Sequence, residues 1–351
     1  MKRVYRYFPT IPRQLKDMGD TFYLLFFLFL SVISFGLPQM VAGQTVMGPY
    51  MLYDNHYLID KYVINPAFAG NKYYPKAFVG AQKMELQIHN SPTQYVAGMH
   101  SRLGIKRNFS TEYESGNRSS RNAVGGMLFA DNNGPYQTVG AKLDYVYHIP
   151  LNEKSTTLSL GLGGMLFSKR IRLDNYTLMD NDPLIAENAG NRVMIPDVNA
   201  GAVFSHKQLY VGFSVSQLLE NSYHSSDYKY TPAKVYRNFY LLAGYRFIYS
   251  RFEFEPSVVV GRNLATVRHG NNGNFVDANV EFFLKPIVFT LSYRIDGYMS
   301  TMLLYRAGKL ELGVRTELFS TKSLDARCNS VGLMVAYTFL PSQMRVTANK
   351  R

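Results

Sequence analysis

Residues 157–167 read TLSLGLGGMLF. Leu158, Leu160, Leu162 and Leu166 share one parity, and Thr157, Ser159, Gly161 and Gly163 share the other. An apolar residue at every second position is the period of an extended chain, whose side chains alternate between two faces. The pattern recurs downstream. Leu209, Val211, Phe213 and Val215 alternate with Tyr210, Gly212, Ser214 and Ser216, and Ile287, Phe289, Leu291 and Tyr293 with Thr290, Ser292, Arg294 and Asp296. Leu310, Leu312, Val314 and Leu318 oppose Glu311, Gly313, Arg315 and Glu317, and Val331, Leu333, Val335, Tyr337 and Phe339 oppose Gly332, Met334, Ala336 and Thr338. Each segment has one apolar face and one face of small, polar or charged residues.

Alternation alone fits a soluble β-sandwich as well as a barrel. Three features separate them. No proline- or serine-rich linker divides residues 75–340, where a sandwich chain of this length would break into modules. Charges such as Arg294, Glu311, Arg315, Glu253 and Glu255 lie opposite the apolar faces, as a wet lumen allows. Strands are expected at 75–87, 92–104, 121–131, 137–149, 155–168, 196–206, 208–216, 236–248, 251–262, 274–284, 286–296, 299–306, 309–319 and 329–340; connections after even strands are short turns, and those after several odd strands are longer, at 169–195, 217–235, 263–273 and 320–328. The expected fold is therefore all-β, a transmembrane antiparallel β-barrel of about fourteen strands in an outer membrane, twelve to sixteen if one hairpin is misplaced. One connection breaks the rule: 105–120 is long where a short turn is due.

The amino-terminal region reads differently. A basic stretch with Lys2, Arg3, Arg6, Arg13 and Lys16 precedes the apolar run FYLLFFLFLSVISF at 22–35, and Val41-Ala42-Gly43 resembles a small-residue cleavage site. This is the layout of a secretory signal peptide, with a single membrane anchor as the alternative. The expected division is signal peptide 1–43, periplasmic segment 44–74, barrel 75–340 and polar tail 341–351.

Composition excludes several function classes. The formal net charge is +13, yet it is diffuse, with no dense basic run interleaved with aromatics, so no nucleic-acid partner is expected. Cys328 is the only cysteine, so no internal disulfide or cysteine-based zinc site forms, and the seven histidines show no metal-ligand spacing. Asp131-Asn132-Asn133-Gly134-Pro135 lacks the spacing of a calcium loop and reads as a turn. Asp174, Asp180, Asp182 and Glu187 could hold a surface cation at most. The GLGG at 161–164 has no following helix or Lys-Ser pair, so it reads as close strand packing. His148 and His206 at strand ends read as structural, and no GxSxG lies in a strand-turn-helix context. No catalytic residue, metal or cofactor is expected, and the protein reads as a non-enzyme.

The segment YVINPAFAG at 62–70 narrows the class to a family. On its own Asn65-Pro66 starts a turn, and Ala67, Ala69 and Gly70 permit close packing. In sequence it resembles the opening motif of the PorP/SprF family of type IX secretion system membrane proteins. The resemblance continues in order through SPTQ at 91–94, VGGMLFADNNGP at 124–135, LDYVYH at 143–148, the paired strands of 198–217 and FYLLAGYRF at 239–247. One departure lies near the carboxyl terminus, where many members carry a Tyr-Asp-Tyr strand and a Ser-His-Glu. This chain has Leu318-Phe319-Ser320 and Cys328-Asn329-Ser330.

The resemblance implies an outer-membrane protein of Bacteroidota that supports export or surface attachment of proteins bearing a C-terminal targeting domain, in gliding species including giant adhesins. Its implied partners are periplasmic and outer-membrane secretion components, that cargo and outer-membrane lipid. Asn65, Pro66, Ala67, Phe68, Ala69 and Gly70 are the expected motif residues, structural or partner-contacting. A porin or small-solute transporter with a charged lumen remains the alternative, since a barrel of this size can be filled or open.

Overall fold

The computed structural model describes residues 56–71, 74–84, 86, 91–103, 121–134, 136–152, 156–171, 192–223, 233–249, 252–263, 274–295, 298–319 and 329–339. The expected signal peptide at 1–43, the acidic residues of 174–187, Cys328 and the tail at 341–351 lie outside them.

The alternating segments form one antiparallel sheet. Its first half comprises β1 (Lys76–Lys83), β2 (Thr93–Arg102), β3 (Asn122–Asn133), β4 (Tyr136–Asn152), β5 (Thr156–Ile171), β6 (Arg192–His206) and β7 (Leu209–Ser216). β8 runs through Asn238–Tyr245 and resumes as Phe247–Ile248 on the same neighbour, making one strand interrupted at Arg246. Then follow β9 (Glu253–Asn263), β10 (Asn274–Leu284), β11 (Ile287–Arg294), β12 (Tyr298–Ala307), β13 (Leu310–Phe319) and β14 (Asn329–Thr338). Each strand pairs with its sequence neighbours, and β1 also pairs with β14 from Lys76 opposite Thr338 to Lys83 opposite Val331. The result is a closed barrel of fourteen strands. Closure leaves no edge strand and satisfies the backbone within lipid.

Burial along the strands is inverted relative to a water-soluble protein. On β4, Val139, Leu143, Tyr145 and Tyr147 are exposed, whereas Thr138, Lys142, Asp144 and His148 are buried. On β14, Val331, Leu333, Val335 and Tyr337 face out, and Met334 and Ala336 face in. A continuous apolar outer belt with polar groups inside is what hydrocarbon requires.

All fourteen strands lie where the sequence pattern puts them, with shifts at the ends. β5 extends to Ile171 and β6 begins at Arg192, so the barrel rises further there at the long-loop end than alternation indicates, and β4 extends to Asn152 at the opposite end. Short turns at 207–208, 285–286 and 308–309 lie at the barrel end where β1 begins and β14 finishes, with Gly308 at φ +66°. The connections 172–191, 264–273 and 320–328 lie at the opposite end. The 103–121 connection belongs to the short-turn end, because β2 and β3 pair in register from Thr93 opposite Asn132 to Arg102 opposite Ala123. Asn133 pairs with Tyr136, so β3 and β4 form a tight hairpin with Gly134 at φ +56°, and Asp131, Asn132 and Asn133, expected in the turn, belong to β3.

Candidate functional site

Residues 56–70 lie inside the barrel as a plug built of three 3-10 turns, His56–Leu58, Lys61–Val63 and Pro66–Phe68. The local sequence sets these turns. The Asp60 carboxylate accepts from the Tyr62 N–H at 3.0 Å, and the Asn65 side-chain oxygen accepts from the Ala67 N–H at 2.9 Å. These are Asx caps, and Pro66 after Asn65 supplies the φ the next turn needs.

The inner wall makes room by omitting side chains. A Cβ on Gly161 of β5 would stand 2.7 Å from the Ala67 nitrogen, and one on Gly201 of β6 would collide with the Asn65 side chain. The GLGG glycine at 161 thus serves plug docking rather than the strand packing expected of it.

The plug's polar groups are answered from the wall. Asn65 Nδ2 donates to the carbonyl oxygens of Ala202 and Phe213, at 3.3 and 3.2 Å, and so bridges β6 and β7. Ser214 Oγ donates to Ile64 O at 2.8 Å, and Lys142 Nζ to Tyr62 O and Val63 O at 3.2 and 3.1 Å. Arg102 Nε donates to Gly70 O at 2.7 Å. His148 places Nε2 3.1 Å from Ala69 O and Nδ1 2.7 Å from Ser159 Oγ. A carbonyl only accepts, so Nε2 carries the proton and Nδ1 accepts from the serine. Hydrogen-bonding donors aimed at backbone carbonyls hold an irregular segment without leaving its buried acceptors unsatisfied.

Charges meet across the same interface. Asp60 lies 3.0 Å from Lys76 and 3.2 Å from His100 Nε2, while Lys76 is also 3.6 Å from Glu311. The Gly70 N–H donates to His100 Nδ1 at 3.2 Å, leaving Nε2 to donate to Asp60. Burial opposes the Asp60 charge, but Lys76 and His100 outweigh it and hold the carboxyl well below its usual range. Lys61 pairs with Glu255 at 3.0 Å and Glu281 at 3.7 Å, over the Tyr210 ring at 5.0 Å. Burial disfavours that ammonium too, yet its neighbours keep its pKa well above the ordinary lysine value. Tyr57 OH reaches Asp277 and Asn279 on β10, at 3.2 and 3.0 Å.

The motif residues are therefore gathered in one place. Asn65, Ala67 and Ala69 are fully buried, and Phe68 packs edge-on against Tyr210 at 5.8 Å between ring centres. Sequence reading missed the wall partners of the plug, Lys76 against Asp60, Lys142 and Asp144 against Tyr62, and His100 and Arg102 against Gly70. The available signal was an ionisable residue on the inward parity of a membrane strand, which needs a partner inside. His206 at its strand end meets only Thr156 Oγ1, at 2.7 Å, among the described residues.

A closed barrel with an apolar outer belt and a lumen occupied by its own leading segment is an outer-membrane protein. The sequence profile of the family described as "Type IX secretion system membrane protein PorP/SprF" matches residues 50–337. The chain belongs to that family, which is one of secretion-system membrane proteins rather than of enzymes. Among solved structures it is similar to the Acinetobacter baumannii outer membrane protein Omp33, at 9% identity and TM-score 0.43, over 77% of this chain and 100% of that one. It is also similar to the P. putida toluene transporter TodX, at 8% identity and TM-score 0.44, over 78% of this chain and 92% of that one. No curated protein sequence matches the chain.

Proposed function

We propose that this barrel serves type IX secretion as a closed platform for protein contacts, supporting export or surface attachment of cargo with a C-terminal targeting domain, rather than as a solute channel. The observation that carries this reading is the plug: the residues of the family motif are spent on sealing the barrel, through contacts with at least six strands. A solute pore would leave the Lys61, Glu255 and Asp60 region to water, whereas here these charges neutralise one another across the plug surface. On this reading residues 1–43 are a signal peptide and 44–74 enter the barrel from the periplasmic side. Secretion components would then meet the short-turn rim and the 103–121 connection. Giant surface adhesins are the cargo class the reading extends to in gliding species.

Two measurements test it together. The purified protein in a planar bilayer should show no large steady conductance, and a deletion strain should retain targeting-domain cargo while taking up small solutes normally. A large conductance with unaltered secretion would favour the porin reading.

A further inference from the structure

The outer face of the barrel carries its charges unevenly. Among the described residues every strand carboxylate falls on the inward parity. The outward parity carries Lys83, Arg170, Arg192 and Arg262, each at a strand end beside the connections of the long-loop rim. Among the described strand residues none lies on the outward parity at the short-turn rim.

Two of these cations are neighbours. Arg170 on β5 and Arg192 on β6 are direct register partners, and Gln137 on β4 is the partner of Arg170 on its other side. Like charges placed directly opposite across a sheet repel, and repulsion grows beside hydrocarbon, where the dielectric constant falls. Toward the membrane centre the next outward row is Val139, Ser168 and Met194, with Leu166 one row further, and Val139, Leu166 and Met194 are all exposed. A guanidinium pair with no outward carboxylate among the described strand residues, set at the edge of an apolar belt, fits a multi-oxygen anion attached to hydrocarbon.

We propose that Arg170 and Arg192, with Gln137 beside them, bind the phosphate of a phosphorylated lipid in the leaflet at the long-loop rim, its acyl chains lying along Val139, Leu166 and Met194. Long connections face the cell exterior in barrels of this kind, so the lipid is one of the outer leaflet. The phosphate offsets the Arg170–Arg192 repulsion, and the two planar guanidinium groups set its orientation.

The test is lipid titration of the full-length protein in detergent, followed by native mass spectrometry. The probes are bis-phosphorylated lipid A, its dephosphorylated form, phosphatidylcholine and inorganic phosphate. The wild type should bind phosphorylated lipid A at least about tenfold more tightly than the dephosphorylated form, and R170Q/R192Q should reduce that preference to about twofold or less. R262Q, on β9 and remote from the pair, should leave it intact. Heat-modifiable migration on a gel reports folding. If the double variant does not fold, R192Q alone should lower the preference about fivefold. Equal preference in wild type and folded variant would overturn the proposal. So would equal binding of the phosphate-free lipids, or binding of inorganic phosphate without lipid preference, an adventitious ion only.

Discussion

The Tyr62 hydroxyl donates to the Asp144 carboxylate at 2.5 Å, joining the plug to the wall of β4 at a point closed to water. Lys142, 3.6 Å from the same carboxylate, lies over the Tyr62 ring at 4.4 Å. Tyr62→Phe removes the donor and leaves a buried carboxylate under-satisfied, which should weaken plug docking by about 1–3 kcal/mol. Hydrogen exchange of 61–70 should quicken accordingly while exchange in the strands stays slow. Unchanged exchange would mean that Lys142 alone satisfies Asp144.

Asp60→Asn removes the anion that Lys76 and His100 share. Breaking one side of a buried pair costs about 3–5 kcal/mol, and Glu311 near Lys76 should keep the loss toward the lower figure. The variant should still migrate as a folded barrel, with protease reaching the 56–70 segment. A protease-resistant segment would show that Glu311 suffices.

Docking should weaken in mild acid. Burial first, then the Arg315 cation, lower the His56 pKa to about 3, against an opposing hydrogen bond with Gln94. Undocked, His56 would titrate near its ordinary value of 6.5. The docked form thus binds fewer protons between these values, and its stability falls as pH drops through that window. From pH 6.5 to 5 the loss is about 2 kcal/mol. Asp60, held low, shifts stability in the same direction only below about pH 4. His56→Gln should flatten the dependence of hydrogen exchange on pH between 7 and 5, and an unaltered slope would assign it to other lumen groups.

Gly161→Val should open the lumen. The added Cβ meets plug backbone, which cannot swing aside as a side chain would. The barrel should assemble and conduct in a planar bilayer, whereas Gly164→Val, on the lipid side with open space around its Cβ position, should behave as the wild type. A silent G161V barrel would indicate that the plug shifts without leaving.

The barrel was legible because hydrocarbon imposes a simple code: alternate residues must be apolar, and TLSLGLGG or LYVGFSVS cannot satisfy it in another register. The hairpin at Gly134 was equally local, although the strand runs on through Asn133. What escaped was pairing at long range. Asp60 and Lys76, or Lys61 and Glu255, are joined only by the curvature of the closed sheet, and no spacing announces that. The motif flagged its own importance without disclosing that Asn65 would donate to two strands at once. The small residues of 67–70 signalled close packing, but the surface they pack against is an inner wall that alternation leaves unspecified.

Residues 56–70 also act as a gauge. Tyr57 reaches β10, Lys61 β9, Tyr62 β4, Asn65 β6 and β7, and Gly70 β2, all from one short covalent run. Barrel diameter grows with strand number, so a barrel two strands wider would pull some of these contacts apart and one two strands narrower would crush them. The leading segment fits like a mandrel, its reach matched to the width of a fourteen-stranded barrel.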